Sequence, residues 1–215
     1  MNLAPKNKYS RESMVKAALQ IVRERGISGL TAKSLAAQLG TSTQPVFTAF
    51  GSMDVLKAEV RAEAEKQFDR YLNAGLSEEI PFLGLGMQYI RFGREEPEWY
   101  RFLFLTEMPD RTSGLMNTEQ KVRERVLGTL MDRYHLSEAE ADRYFRDLWL
   151  VAHSMATLNV TGGCPYEEPE IRQILSGFSI AVLRAIREIP GFTEGTYDRD
   201  AAFRAAIGGN EGSGQ

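Results

Sequence analysis

The sequence predicts an all-α protein with a three-helix head at its N-terminal end and a larger helical bundle behind it. Two observations carry this. Apolar residues recur at i, i+3 and i+4 through most of the chain. Glycines, prolines and small capping residues stand where these stripes stop and start. A third is an absence: no segment alternates as a half-buried strand does, and no internal repeat is present.

Residues 1–8 read as a basic arm. Ser10 caps a first helix running to about Arg25, with Met14, Ala17, Ala18, Ile21 and Val22 on its inner face. Gly26 stands where a helix C-terminus wants a residue without a side chain. Leu30 to Phe50, LTAKSLAAQLGTSTQPVFTAF, then predicts two short helices and a tight turn. Thr31 caps the first, Leu35, Ala36 and Leu39 form its stripe, and Gly40 ends it. Thr41, Ser42 and Thr43 offer the next cap. Pro45 falls in the first turn, where its missing N–H loses nothing. Val46, Phe47 and Phe50 supply the buried side of this second helix, and Thr43, Gln44 and Thr48 face outward. Helix-turn-helix spacing of this kind sets the second helix in a DNA major groove. An ordinary helical hairpin satisfies the same loose pattern.

Gly51 breaks the chain, and Ser52 with Asp54 opens a longer helix over 52–74. Its inward stripe is Val55, Leu56, Val60, Ala64, Phe68 and Leu72, and its length lets head and bundle share it. Gly75 to Pro81 reads as a hinge. Phe82 to Arg94 is a helix loosened by Gly84, Gly86 and Gly93. Pro97 starts a short aromatic helix, PEWYRFLFL, and Met108 to Gly114 is a loop. Asn117 to Tyr134 turns Val122, Val126, Leu130 and Tyr134 inward. Ser137 and Glu140 form a capping box for a long helix striped by Phe145, Leu148, Trp149, Ala152, Met155 and Ala156. TGGCP at 161–165 stops it. Glu168 to Ile189 carries Ile171, Ile174, Leu175, Phe178, Val182 and Ile186, and Pro190 with Gly191 ends it. Thr196 to Ile207 is a marginal helix, and GGNEGSGQ at 208–215 has the composition of a disordered tail. The expected domains are therefore a head over 9–69, a bundle over 78–189 and a tail over 190–215.

The chain has 215 residues, 43% hydrophobic and 26% charged, which suits a globular protein. No apolar run approaches the roughly 18 residues of a membrane span. The opening MNLAPKNKYSRES lacks the apolar core of a secretory signal. A single cysteine, Cys164, leaves no intramolecular disulfide and suits the cytoplasm. The net charge of -3 divides unevenly: residues 1–56 carry +4 and the remainder -7. A basic N-terminal end suggests an anionic partner. Scattered solvated charge gives the same count.

Residues 9–60 resemble the TetR family of bacterial transcriptional regulators. The resemblance is carried by Ala17-Ala18-Leu19, Gly26, Leu30-Thr31, Leu35-Ala36, Leu39-Gly40, Val46-Phe47, Phe50, Ser52 and Leu56, in the family's order and spacing. Farther on, Tyr89-Ile90-Arg91-Phe92, Pro97, Phe104 and Trp149 with His153 are similar to a C-terminal subtype with a Trp…His-Gly signature. Ser154 stands where that glycine is expected.

The resemblance implies a homodimer that binds a double-stranded DNA operator and a small-molecule effector, with no cofactor and no membrane association. Thr43, Gln44 and Thr48 fall on the family's reading face, where glutamine can pair with adenine. Thr31, Lys33, Ser42 and Ser52 fall where backbone or side chains meet phosphates. Phe47, also at the DNA face, replaces a frequent tyrosine, Ala49 a frequent histidine and Met53 a frequent lysine. Each change removes a phosphate contact, which flattens the salt dependence and leaves Lys6, Lys8 and Arg11 to compensate. The resemblance further implies an effector pocket in the bundle, for which Phe68, Leu72, Met87, Phe102, Leu127, Met131, Trp149 and His153 are candidates. It implies a dimer interface on the last two long helices, with Leu148, Ala152, Phe178, Val182 and Ile186 as contacts.

Other features have plainer readings. His153 is a hydrogen-bonded core histidine or a ligand contact, and His135 a surface residue. His153 and Cys164 lack the spacing of a metal site, and no basic residue adjoins Cys164 to activate it. Trp99, Tyr100, Phe102, Phe104 and Met108 form an aromatic stripe that serves a core or lines a pocket. Glu95, Glu96 and Glu98, like Glu167, Glu168 and Glu170, read as solvated charge. No nucleophile and base pair stands out, so the chain is not expected to be an enzyme. The function expected is a ligand-relieved repressor. The alternative is a helical ligand- or protein-binding dimer whose DNA head has weakened.

Overall fold

Helix α1 (Arg11–Arg25) begins where Ser10 accepts the Ser13 N–H at 3.1 Å. It ends at Gly26, whose φ of +69° an L side chain resists. Met14, Ala18, Ile21 and Val22 are buried, as the stripe requires. A 3-10 turn (Ile27–Gly29) leads into α2 (Ala32–Leu39), which stops at the left-handed Gly40. Helix α3 (Gln44–Phe50) follows, and then α4 (Met53–Leu76), opened by Ser52 accepting from the Val55 N–H at 3.3 Å. The remaining helices are α5 (Pro81–Glu95), α6 (Pro97–Tyr100), α7 (Gly114–Tyr134), α8 (Glu138–Val160), α9 (Glu168–Glu188) and α10 (Arg199–Ile207). A π-helical segment, Arg101–Leu105, continues α6. The structure is a computed structural model that describes residues 9–106 and 114–208, with the backbone alone for 114–117. The described residues are all-helical, with no strand. The basic arm, the Met108 loop and the final seven residues of the expected tail lie outside them.

The chain forms two compact units. The first takes in the chain to Gln120 together with Ala152–Pro165. Its core is aromatic: the Phe68 ring lies 5.6 Å from Tyr89, 5.1 Å from Phe92 and 5.2 Å from Phe104. The second comprises Lys121–Val151 and the chain from Tyr166. There Phe145 stacks on Trp149 at 5.7 Å, and the Tyr144 hydroxyl lies 2.6 Å from Ser179 Oγ. Arg143 pairs with Asp147 at 2.7 Å and donates to the Phe192 carbonyl at 3.1 Å, tying the segment after α9 to α8. These units divide the chain differently from the expected head and bundle, because α4 and α5 pack closely along one another.

That packing corrects the expected hinge. Gly75 lies inside α4 and is buried. A Cβ on it would come within 2.6 Å of the Gly84 and Leu85 backbones. Gly84 and Gly93 therefore do not loosen α5. They let backbones approach, Gly84 toward Gly75 and Gly93 toward the Val160 side chain. Two stripe residues are also corrected. Phe47 is 44% exposed and Val55 42%, since each sits one residue beside its helix's buried line. The Ser137–Glu140 capping box forms as the sequence indicates: Ser137 N–H donates to Glu140 at 2.8 Å and Glu140 N–H to Ser137 Oγ at 3.4 Å.

Candidate functional site

In a seven-residue helix only one line of side chains can be covered. Val46 and Phe50, four apart, are that line in α3. Gln44, Phe47 and Thr48 are exposed, followed by exposed Gly51, which sets i, i+3, i+4 and i+7 on one outward face. Thr48 Oγ1 donates back to the Gln44 carbonyl at 2.9 Å. Thr43, half-buried, has helical dihedrals and gives no side-chain cap, contrary to the expectation for 41–43. Its carbonyl instead accepts the Val46 N–H at 3.1 Å.

The expected phosphate contacts divide. Lys33, Ser42 and Ser52 are exposed. Thr31 is exposed too, but its hydroxyl accepts the Ser34 N–H at 3.0 Å while Ser34 Oγ accepts the Thr31 N–H at 2.9 Å. Sequence reading missed Ser34; the T-x-x-S spacing is a capping-box variant that could have disclosed it. Arg11 is corrected. Its Nε donates to Glu59 at 2.9 Å, its Nη1 donates to the Ala49 carbonyl, and its guanidinium lies 4.6 Å over the Phe50 ring. It therefore staples α1, α3 and α4 together, and the Glu59 hydrogen bond raises its pKa. Lys6 and Lys8 lie outside the described residues.

Behind the head, α1 is fastened to α6. Arg23 grips Glu96 bidentately, Nε to Oε2 at 2.7 Å and Nη2 to Oε1 at 2.6 Å. The Arg23 guanidinium lies 5.3 Å over the Trp99 ring, and Trp99 Nε1 donates to the Leu19 carbonyl at 3.2 Å. Burial pushes the Glu96 carboxyl above the ordinary carboxylate value, and Arg23 opposes that shift. Of the glutamates read as solvated, Glu95, Glu167 and Glu170 are exposed as expected, while Glu96 and Glu98 are drawn into the fold. Glu96 is buried, Glu98 pairs with Arg101, and Glu95 accepts from the Tyr71 hydroxyl at 2.7 Å. Glu170 likewise accepts the Glu167 N–H at 3.0 Å and caps α9.

A cleft of about 590 Å3 runs along the first turns of α4. Ala58 and Ala62 leave the room, Ile27 and Phe102 supply apolar walls, and Lys57 and Thr106 stand at its edge. Arg61 lines it with only 8% exposure. Its Nη1 donates to the Phe102 carbonyl at 2.8 Å and its Nη2 to the Leu103 carbonyl at 2.6 Å. Burial lowers its pKa, opposed by Glu65, whose carboxylate is 3.4 Å from Nε. Arg61 was not foreseen, because the carbonyls that hold it lie about forty residues farther along the chain.

Of the eight pocket candidates, Phe102 alone lines this cleft. Phe68, Leu72 and Met87 are packed core of the first unit. Leu127 and Met131, half-buried, and Trp149, buried, belong to the second. Trp99, Tyr100, Phe102 and Phe104 are buried, and Met108 lies outside the described residues. His153 Nδ1 lies 2.9 Å from both the Tyr89 and Tyr100 hydroxyls, and Tyr100 is 3.0 Å from Thr157 Oγ1. Burial lowers the His153 pKa from the ordinary 6.5. The neutral ring is therefore favoured on folding, so this contribution is present above pH 6.5 and lost as pH falls below it. Going from pH 7.5 to 5.5 should lower the urea midpoint more in the wild type than in His153→Gln.

The interface candidates lie mostly inward. Leu148, Ala152, Val182 and Ile186 are buried within the single chain, so of the five only Phe178, at 38% exposure, is open to a partner. On α8 and α9 the exposed large apolar residues are instead Leu150, Leu158, Phe178 and Ile180. Among the described residues no helix is long and apolar enough to cross a membrane, and no cluster of three or more His, Cys, Asp or Glu could hold a metal ion.

Residues 82–176 match the family described as tetracyclin repressor-like, C-terminal domain. A curated relative, the uncharacterized HTH-type transcriptional regulator Rv0681 of Mycobacterium tuberculosis, is 26% identical over 162 residues, 72% of each chain. Residues 82–176 are thus similar to a tetracyclin repressor-like C-terminal domain. Several solved structures share its fold. A TetR family member from Streptomyces coelicolor A3 (SCO1917) superposes with a TM-score of 0.60 at 21% identity, covering 81% of this chain and 98% of its own. A TetR-like regulator from Rhodococcus sp. RHA1 also gives 0.60, at 14% identity, 87% and 100% coverage. The multidrug binding protein EbrR, complexed with imidazole, gives 0.54 at 20% identity, 82% and 97% coverage.

Proposed function

We propose that the chain is a transcriptional repressor that binds operator DNA through α3 and is released by a small-molecule effector. The observation that carries this reading is the exposed face of α3, with Gln44 and Thr48 outward on a helix stapled at its far end by Arg11. In this reading 9–69 is the DNA-binding head, 78–189 the effector-binding and dimerisation body, and 190–215 a tail. Two heads in a homodimer would meet successive major grooves roughly 34–36 Å apart. Exposed Leu150, Phe178 and Ile180 supply apolar surface for the dimer. An effector that prefers another head spacing would shift the population away from DNA. The α4 cleft supports a ligand-responsive reading, because its lining joins Ile27 and Ser28 of the head with Phe102 and Thr106 of the body. That EbrR is described as a multidrug binding protein fits the same class of behaviour.

A mobility shift on the DNA flanking the protein's own gene tests this. Absence of a specific complex at low salt would count against it. Gln44→Ala should cost about 1–3 kcal/mol at one base pair and relax specificity there, read by competition with single-base operator variants.

A second reading, a ligand- or protein-binding dimer with a weakened head, is favoured by Phe47, Ala49 and Met53. None of them can donate a side-chain hydrogen bond to a phosphate. In that case Gln44→Ala changes no DNA preference.

A further inference from the structure

The outward face of α3 is richer in carbon than a groove-reading helix needs for hydrogen bonding alone. Phe47 lies between Gln44 and Thr48 on that face with 44% of its surface exposed. Its phenyl ring carries no donor or acceptor, so it gains nothing from a phosphate oxygen or a base-edge nitrogen. Thr48 returns its hydroxyl hydrogen to the Gln44 carbonyl. Thr48 is left as an acceptor, and Gln44 is the side chain of this face with both donors and an acceptor to offer. The one apolar group a major groove presents is the 5-methyl of thymine.

We infer that Phe47 is a specificity determinant that selects a thymine by covering its 5-methyl group. This rests on the DNA-binding reading above. Phe47 follows Gln44 by three residues, about 4.5 Å along the helix axis. A glutamine suited to adenine and a phenyl suited to thymine therefore address neighbouring base pairs, and the half-site they favour is A·T-containing. The phenyl does not merely await a phosphate partner, because no rotation of the ring creates a donor.

The test starts from the full chain and duplexes selected from a random pool for tight binding. Each thymine of the selected half-site is then replaced singly by deoxyuridine, which removes only the methyl. One position should bind the wild type about fourfold more weakly, the loss expected for one methyl left in water. At that position Phe47→Ala should bind the thymine and uracil duplexes equally, whereas Phe47→Tyr, which keeps the ring, should retain the difference. Circular dichroism confirms that the variants fold; Phe47 is exposed, so its truncation leaves no core cavity. The inference is overturned if no methyl matters to the wild type, or if the methyl preference persists in Phe47→Ala. Failure of the pool to yield any preferred sequence overturns the DNA-binding reading itself, and this inference with it.

Discussion

Arg61→Met is expected to lower the unfolding free energy by about 3–5 kcal/mol, the usual cost of removing one partner from a buried charged network. Methionine fills most of the volume but replaces none of the donors. The Phe102 and Leu103 carbonyls, 2.8 and 2.6 Å from the guanidinium, would be left buried beside α4 without it. Each such orphaned acceptor costs about 1–3 kcal/mol. Glu65, 3.4 Å from Nε, would lose its cation in the same step. The π-helical segment makes the site unusually dependent on this residue. Two successive carbonyls of this segment accept from Arg61, and a planar fork answers both at once. Arg61→Lys should therefore recover only a fraction of the loss, since a single ammonium cannot span the pair in the same geometry. Urea unfolding with an unchanged slope is the check. A midpoint equal to the wild type would show that the two carbonyls find other partners.

Gly75→Ala is expected to destabilise the protein by about 3 kcal/mol, at the upper end of the range for inserting one carbon into a packed contact. The added Cβ would meet backbone atoms on α5, the Gly84 carbonyl carbon and the Leu85 Cα and N, all at 2.6 Å. Backbone cannot swing aside as a side chain does, so α4 and α5 would have to separate. Alanine has a helix preference about 1 kcal/mol better than glycine, which works in the opposite direction and is outweighed. Gly84→Ala probes the same contact from the other side, its Cβ falling 2.4 Å from the Gly75 carbonyl oxygen. The two substitutions should combine to less than their sum, because the first separation already makes room for the second. Thermal unfolding of both single variants and the double variant measures this.

The helices were legible because their stripes and caps are local. Ser10, Ser52 and Ser137 sit at the helix starts they were expected to cap. What was not legible depends on partners distant in sequence. Glu96 looked solvated among three glutamates, yet Arg23, far up the chain, buries it. Gly75 looked like a hinge because glycine has two uses, turning a chain and admitting a neighbour, and only the position of Gly84 decides between them. Arg11 looked like a phosphate contact until Glu59 was seen to hold it. The pocket candidates were chosen as an apolar list, and such a list cannot distinguish core from cavity. Space here comes from Ala58 and Ala62, residues too small to draw notice. Leu148, Ala152, Val182 and Ile186 are covered by their own chain, and the limit is a related one: a helical stripe shows which side is covered, not what covers it.

The Arg11 staple bears on how such a head would hold a duplex. Among the cations of the head, Arg11, Lys16 and Arg23 are each paired with a carboxylate of the same chain. Charge that is already neutralised displaces few condensed ions from a duplex, and displaced ions supply most of the grip on arbitrary sequence. If the head binds DNA as proposed, these three side chains would add little to a salt-dependent grip, and exposed Lys33 would add more.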